Sequence, residues 1–444
     1  MKRSIAYGTL LTLTLAGTAA CGGSSNGGGG GTSGSSGGSS GGSGGGVTAA
    51  KGPIKVWLSN NPEEIAWGRA MVKAWNAAHA SEQITAQEIP AGKSSEEVIG
   101  AAITAGNAPC LVFNTSPAAV PQFQKQGGLV ALDSFPGGAD YIKARTGAPA
   151  DQYKSKDGKF YQMPWKSNPV MIFYNKDLFK KAGISTSNPP LKTYDEFIAT
   201  SQKIVSSGVA KAAIWPAPTS EFFQSWFDFY PLYAAESGGK QVIENGKATF
   251  DNPQAQAVMN FWRQLYAKNL APNEKYSADS FADKKAAMAV VGPWAIAVYK
   301  GKVNWGVVPV PTSTGMPAEQ IHTFSDAKNI GLYSACKNQG TAFDVLKFAT
   351  SKEQDGALLD KTGQMPLRAD LPGTYPDYFS KNPSYKTFAA QAARTVEVPN
   401  VAGSIAIWQA FRDQYSSSVI FGKTQVPAAL KTASESATKL IAQG

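Results

Sequence analysis

Short apolar runs alternate with amphipathic stretches along the chain from Ile54 onward. Ile54–Leu58 reads as a first strand. Asn61-Pro62-Glu63-Glu64 then predicts a helix start, with Asn61 as cap, Pro62 in the first turn and Glu64 where a capping-box carboxylate belongs. That helix runs to about residue 79 and turns Ile65, Met71, Val72 and Trp75 inward. Residues 84–89 form a second strand, 94–105 a second helix stopped by Gly106-Asn107, and 111–113 a third strand. This β-α-β-α-β order predicts a parallel sheet with right-handed crossovers. Further on, Asp157-Gly158-Lys159 turns into another strand, and residues 170–173 are a further apolar run. Thr193-Tyr194-Asp195-Glu196 is a capping box opening a helix to about Ser206, and Asn252-Pro253 opens another ending near Asn269. Residues 330–335 read as a strand, followed by helices over 342–349, 352–359, 405–417 and 427–441.

The run Phe281 to Lys300 stands out. Ala286 to Val291 is an unbroken apolar segment whose β-branched end suggests a buried strand, although a buried helical turn has the same pattern. Gly292 and Pro293 stop it, so Trp294 opens the next element at the carboxyl end of a strand. Ligands of open α/β sheets bind at that edge, and an indole there offers a flat apolar face and one N–H donor. Trp294 has two readings: a stacking surface for a sugar ring, or a lid over the strand end.

Ahead of these elements, residues 1–20 read as a secretory signal, with Lys2 and Arg3 before the apolar core Leu10 to Ala16. Thr18-Ala19-Ala20-Cys21 resembles a bacterial lipobox, with Thr18 in place of the usual Leu, which makes Cys21 the lipidated first residue of the mature chain. Residues 21–50 then hold the lipidated Cys and a Gly/Ser tether, whose Gly22 to Gly46 stretch has a reach of roughly 25–30 Å. G-x-S-x-G matches, among them those starting at Gly34 and Gly38, fall inside it and lack the flanking strand and helix that such a nucleophile needs. The remaining chain of about 395 residues exceeds what one core usually supports, so two domains are expected. The formal charge is +10, or +8 once Lys2 and Arg3 leave with the signal. Those charges are scattered, which disfavours a nucleic-acid partner.

The motifs Ala105-Gly106-Asn107-Ala108-Pro109, Asp157-Gly158-Lys159, Tyr174-Asn175-Lys176-Asp177, Pro190 through Glu196, Phe281 through Trp294 and Gly363 through Arg368 occur in one order. In that order the chain resembles the extracellular solute-binding proteins of ABC importers, the maltose-binding-protein-like family. The resemblance implies an α/β fold of the two-lobe, type II periplasmic-binding-protein kind, each lobe a mostly parallel sheet flanked by helices. It places 51–166 plus 325–372 in the N-terminal lobe and 167–324 plus 373–444 in the C-terminal lobe. Crossings fall near 166–169, 322–325 and 371–376, and lobe closure is a hinge motion.

By position the resemblance makes Trp294 the leading stacking residue and Trp408 a second one, with Arg412 one helical turn away on the same face. Asn60, Asn61 and Glu63 follow the first strand, and Asn114, Thr115 and Ser116 follow the third, in loops where polar ligand contacts are expected. For Asn61 and Glu63, helix capping alone is the competing reading. Phe227 and Tyr230, in the cluster Trp226 to Tyr230, are further stacking candidates, set against membership of the second-lobe core. Two departures stand: Cys110 follows the Ala-Pro pair where the family often has Asp, and Asp326-Ala327-Lys328 replaces a Gly-Gly-Trp-like turn. Lys328 at the cleft rim suits an acidic or phosphorylated sugar, unless it pairs with Asp326. The family's sheet order also makes antiparallel neighbours of the strand after Cys110 and the strand ending at Cys336, which implies a Cys110–Cys336 disulfide; two separate thiols are the alternative.

The function implied is a carbohydrate receptor. It binds a mono- or oligosaccharide outside the cell and delivers it to ABC permease subunits, as a monomer held by its lipid on the outer face of the membrane. No cofactor, metal or catalytic residue is called for. An extracellular glycoside hydrolase is the competing class and would need two carboxylates facing across a glycosidic bond. A wall-associated adhesin, which needs no lobe closure, is a third. His79 at a helix end and His322 beside a crossing are far apart in sequence and form no motif.

Overall fold

The computed structural model describes residues 47–59, 61–91, 94–216 and 224–443. The signal segment, Cys21, most of the tether and Asn60 lie outside them. The strands of the two main sheets are β1 Ile54–Leu58, β2 Ile84–Glu88, β3 Leu111–Thr115, β4 Met163–Lys166, β5 Met171–Asn175, β6 Ala212–Ile214, β7 Ala286–Val291, β8 Trp305–Val308 and β9 Lys328–Leu332. The helices that matter below are α1 Pro62–Ala78, α2 Ser95–Thr104, α3 Tyr194–Ser206, α4 Gln224–Glu236, α5 Pro253–Ala267, α6 Ala295–Tyr299, α7 Gln339–Ala349, α8 Lys352–Thr362, α9 Pro376–Lys381, α10 Ser384–Ala392, α11 Ser404–Tyr415 and α12 Val426–Gln443.

Local chemistry sets most helix starts. The Asn61 side chain accepts from the backbone N–H groups of Glu63 and Glu64, and Pro62 occupies the first turn. Thr193 and Glu196 form the full capping box of α3, and Asn252 caps α5. One detail differs from expectation. Glu64 does not close a capping box on α1, because its carboxylate is drawn into a buried ion pair with Lys166. The inward face of α1 also differs. Trp67, Gly68, Met71 and Trp75 are buried with Glu64, whereas Ile65 and Val72 are only partly covered. The stripe is rotated because Glu64 faces inward with it.

The first sheet runs β2-β1-β3-β9-β4 and the second β8-β5-β7-β6. β1 pairs in parallel with β2 and β3, as the β-α-β-α-β order requires. Each sheet is mostly parallel in strand direction but mixed, with one strand running against the others. β9 runs antiparallel to both β3 and β4, and β5 runs antiparallel to β7 and β8. β9 enters the first sheet only after the chain has built the second, and it returns in the opposite direction. β5 shows why its sequence is apolar throughout: Ile172 and Tyr174 pack in one core cluster, Met171 and Phe173 in another on the opposite face.

The chain leaves the first sheet after β4 and enters the second at β5. Beside it runs the returning segment through Ser325, with Pro169 bridged to Ser325 and Lys166 to Pro366. The Ser167 N–H donates to the Met365 carbonyl at 2.9 Å, and Asn168 Nδ2 to the Asp326 carbonyl at 3.1 Å. Behind these segments, Arg145 is buried and donates to the carbonyls of Pro164, Trp165, Thr350 and Leu367 and to both oxygens of Asp355, at 2.7 to 3.2 Å. Arg368 closes on the same Asp355 carboxylate at 2.9 Å.

Cys110 and Cys336 are joined in a disulfide, with their Cα atoms 4.5 Å apart. The geometry follows from the sheet: Leu111 of β3 lies opposite Leu332 of β9, and the Tyr333 N–H donates to the Cys110 carbonyl at 3.0 Å. Unreduced mature protein should therefore offer neither thiol to an alkylating reagent. Replacing both cysteines by serine should lower unfolding free energy by about 2–5 kcal/mol in a urea titration. Two labelled thiols, or an unchanged midpoint, would refute the bond or its importance.

Candidate functional site

β7 occupies the residues expected of it, and Gly292-Pro293 turns the chain so that Trp294 stands at the head of α6. The indole folds back over Gly292; a Cβ built on that glycine would sit 2.1 Å from the ring. Gly292 is thus needed for close approach of the ring. Trp294 is half-buried, with Phe227 edge-on to it at 6.0 Å between centroids, and Phe227 in turn meets Phe324 edge-on at 5.6 Å. Trp294, Phe227, Trp215, Asp228, Asp279 and Tyr299 line an open cavity of about 320 Å³ at the ends of β6 and β7. Trp215 is fixed by its N–H, which donates to the Glu274 carbonyl at 2.8 Å. Asp279 accepts from the N–H groups of Phe281 and Ala282.

The other aromatic candidates are placed differently. Trp408 is 2 % exposed, and its ring is covered by Trp226, with Tyr230 and Phe411 packed around it. Tyr230 is fully buried, its hydroxyl donating to the Glu397 carbonyl at 3.0 Å. Both belong to the second-lobe core in this conformation, because α4 and α11 pack face to face there. Arg412 does follow Trp408 by one turn and binds the Asp413 carboxylate through Nε and Nη2 at 2.9 and 2.8 Å.

The first sheet contributes a polar group. Asn61 is engaged in capping, and Glu63 sits half-buried in the first turn of α1. Asn114, next to last in β3, takes a left-handed conformation, φ 72°, and its side-chain Oδ1 accepts from Lys166 Nζ at 3.2 Å. Thr115 turns inward, bonding the Val112 carbonyl and the Tyr333 hydroxyl, and Ser116 is nearly buried. Lys166 Nζ also donates to Glu64 at 2.6 Å and to Gln364 at 2.8 Å, and Gln364 Nε2 donates to the same Glu64 oxygen at 2.6 Å. Burial favours a neutral Glu64 carboxyl, but the Lys166 ammonium outweighs it and holds the carboxyl below its ordinary range. Lys328 pairs with Asp326 at 2.7 Å, and that carboxylate outweighs burial to hold its ammonium above the usual lysine range. Glu64, Lys166 and Gln364 carried no sequence signal as site residues, since they come together from positions far apart in the chain.

Glu397 sits at the junction, 2 % exposed, and accepts from the Tyr153 hydroxyl at 2.7 Å. Burial pushes its carboxyl up to about 8, against the pull of the Tyr153 and Ser325 hydroxyls and with Asp326 and Lys328 nearby. The folded form therefore holds a proton that the unfolded chain, with a carboxyl near 4.3, releases earlier. This contribution to stability is complete below about pH 4.3 and is lost as pH rises to about 8, at about 1.4 kcal/mol per pH unit within the window. Urea titrations between pH 5 and 8 should show that slope in the native protein and lose it in Glu397→Gln. Equal slopes in both would assign the pH dependence elsewhere.

Among the described residues no group of three or more His, Cys, Asp or Glu side chains is placed to hold a metal, and no helix is long and apolar enough to cross a membrane. Two α/β lobes with strand ends gathered at an open aromatic cavity define a type II binding-protein architecture. The GacH receptor of Streptomyces glaucescens, solved free and with acarbose, shares it at a TM-score of 0.73 and 23% identity, over 88% of this chain and 99% of that one. The model of the bacterial extracellular solute-binding protein family matches residues 59–356, and the chain belongs to that family. A maltooligosaccharide ABC transporter solute-binding lipoprotein of Streptococcus pneumoniae is 26% identical over 68% of this chain and 70% of its own length. The diacetylchitobiose binding protein DasA of Streptomyces coelicolor is 25% identical over 72% of this chain and 74% of its own.

Proposed function

We propose that this protein is a carbohydrate receptor of an ABC importer, anchored through a lipidated Cys21, that binds a sugar between lobes 51–166 plus 325–372 and 167–324 plus 373–444 and releases it unaltered to the permease. The observation that carries the reading is the Trp294 indole, held over Gly292 at the mouth of a cavity with Phe227 beside it. An indole face of this kind suits the C–H face of a sugar ring. Relatives named for maltooligosaccharide and diacetylchitobiose binding support the ligand class without choosing a linkage. A neutral sugar is favoured over an acidic or phosphorylated one, because Lys166 and Lys328 are each paired with a carboxylate.

A thermal-shift screen of the mature protein against a panel of neutral and acidic sugars tests this. A true ligand at a hundredfold excess over Kd adds about 2.7 kcal/mol to stability. No shift with any sugar would sink the reading, and a shift confined to acidic sugars would reverse the choice of class. Asp228 and Asp279 line the same cavity. The bound sugar should therefore also be recovered and analysed: new reducing ends would make the protein a glycoside hydrolase.

A further inference from the structure

A second and larger cavity, about 800 Å³, opens on the opposite face of α6 from the Trp294 cavity, and the two share no lining residue. Its walls come from three places: Lys300 at the end of α6 with Trp305 of β8, the carboxyl end of α8, and the α9–α10 segment with Tyr378 and Tyr385. The volume lies in the range that small-molecule sites occupy. Trp305 is partly exposed and is held from behind by Phe173, 5.1 Å between ring centroids. Tyr378 and Tyr385 stand edge to face at 5.1 Å. The Tyr385 hydroxyl comes so close to Gly363, at φ 67°, that a Cβ there would lie 2.1 Å from it. The aromatic part is therefore rigid and its rings are set in advance.

The rim differs from that of the Trp294 site. Lys361 and Lys381 join Lys300 there, with Asp360 and Asp377 between them, all exposed. Among the described residues none of these five charges forms an ion pair, and the charged residues lining the Trp294 cavity are the carboxylates Asp228 and Asp279 alone. Unengaged donors and acceptors of both signs around an aromatic floor fit a neutral polyhydroxylated ring. Ring faces cover its C–H side, ammonium groups donate to hydroxyl oxygens, and carboxylates accept from hydroxyl hydrogens. A strongly anionic ligand would meet Asp360 and Asp377, and an apolar one would strand the charges. We infer that this cavity is a second carbohydrate-binding site, independent of the Trp294 site, with Trp305 as its stacking face. α8 packs on α1 of the first lobe, with the Trp67 indole N–H donating to the Gln354 carbonyl at 3.1 Å, while α6 and β8 belong to the second. An occupant of this cavity would touch both lobes.

Equilibrium dialysis of the full mature chain in detergent, with maltotriose, diacetylchitobiose and cellobiose each at millimolar concentration, measures how many sugars bind. At least one sugar should bind at two equivalents. Trp305→Ala should lower only the weaker affinity, by tenfold or more, and Trp294→Ala only the tighter. The rim variant Lys300→Ala/Lys381→Ala, which alters no buried group, should weaken the same site as Trp305→Ala and guards against a folding artefact. One equivalent or two, unaffected by Trp305→Ala and by the rim variant, overturns the second site. Binding lost only through Trp305 and the rim would leave this site standing and remove the Trp294 reading; no binding of any sugar would remove both.

Discussion

Replacing Trp294 by alanine should remove the part of the sugar-dependent stability shift that comes from the tighter site and leave the fold in place. The indole is half-exposed at a cavity mouth, so its removal takes away ligand surface more than core. A hot-spot aromatic of this kind is worth about 2–4 kcal/mol of binding, which is a thirtyfold to thousandfold rise in Kd. Titration calorimetry with the ligand identified by screening measures it directly. A Kd within threefold of the native value would remove Trp294 from the site. Gly292→Ala offers a subtler version. The added methyl would occupy the space of the indole, so the ring must swing away, and affinity should fall with the tryptophan still present. Trp408→Ala should behave otherwise. Its ring is sealed under Trp226, and truncating a buried tryptophan costs about 3–5 kcal/mol of stability.

The second large effect is expected at Asp355. Its carboxylate is fully buried and holds Arg145 through both oxygens and Arg368 through one. Asp355→Ala would leave the Arg145 guanidinium buried without a counter-charge, and breaking such a pair costs about 3–5 kcal/mol. Because Arg145 also gathers the carbonyls of Pro164, Trp165 and Leu367, the loss should loosen the segment that leads out of β4. Urea unfolding followed by tryptophan fluorescence would report both the lower midpoint and any change in slope. A midpoint close to native would show that water reaches Arg145 and that the site is less enclosed than its packing indicates.

What could be read from the chain was local. Side-chain caps at Asn61, Thr193 and Asn252 mark their helices, because a cap is satisfied within three residues. The apolar run Ala286 to Val291 delimits β7, because Gly292-Pro293 stops it. α4 was harder to see: Pro231 sits in its interior and lacks the N–H that would bond the Phe227 carbonyl. The α9–α10 region has short, weakly periodic helices and left no clear pattern. The polar group at the first sheet was invisible for a different reason. Glu64, Asn114, Lys166 and Gln364 meet only because β1, β3 and, across the intervening β9, β4 end at the same edge of the sheet and the 364–368 segment bridges back to Lys166. Glu64 in particular resembled a capping residue, and nothing near it in sequence announced a lysine partner.

The Cys110–Cys336 bond joins positions 226 apart, and nearly every strand and helix of the second lobe up to β8 lies within that loop. Tension applied between the two ends of the chain would run through the sulfur atoms and bypass everything they enclose. Stretched by its ends, the oxidised protein should come up short by roughly 75–80 nm of contour, at ~3.4 Å per residue, relative to the reduced one.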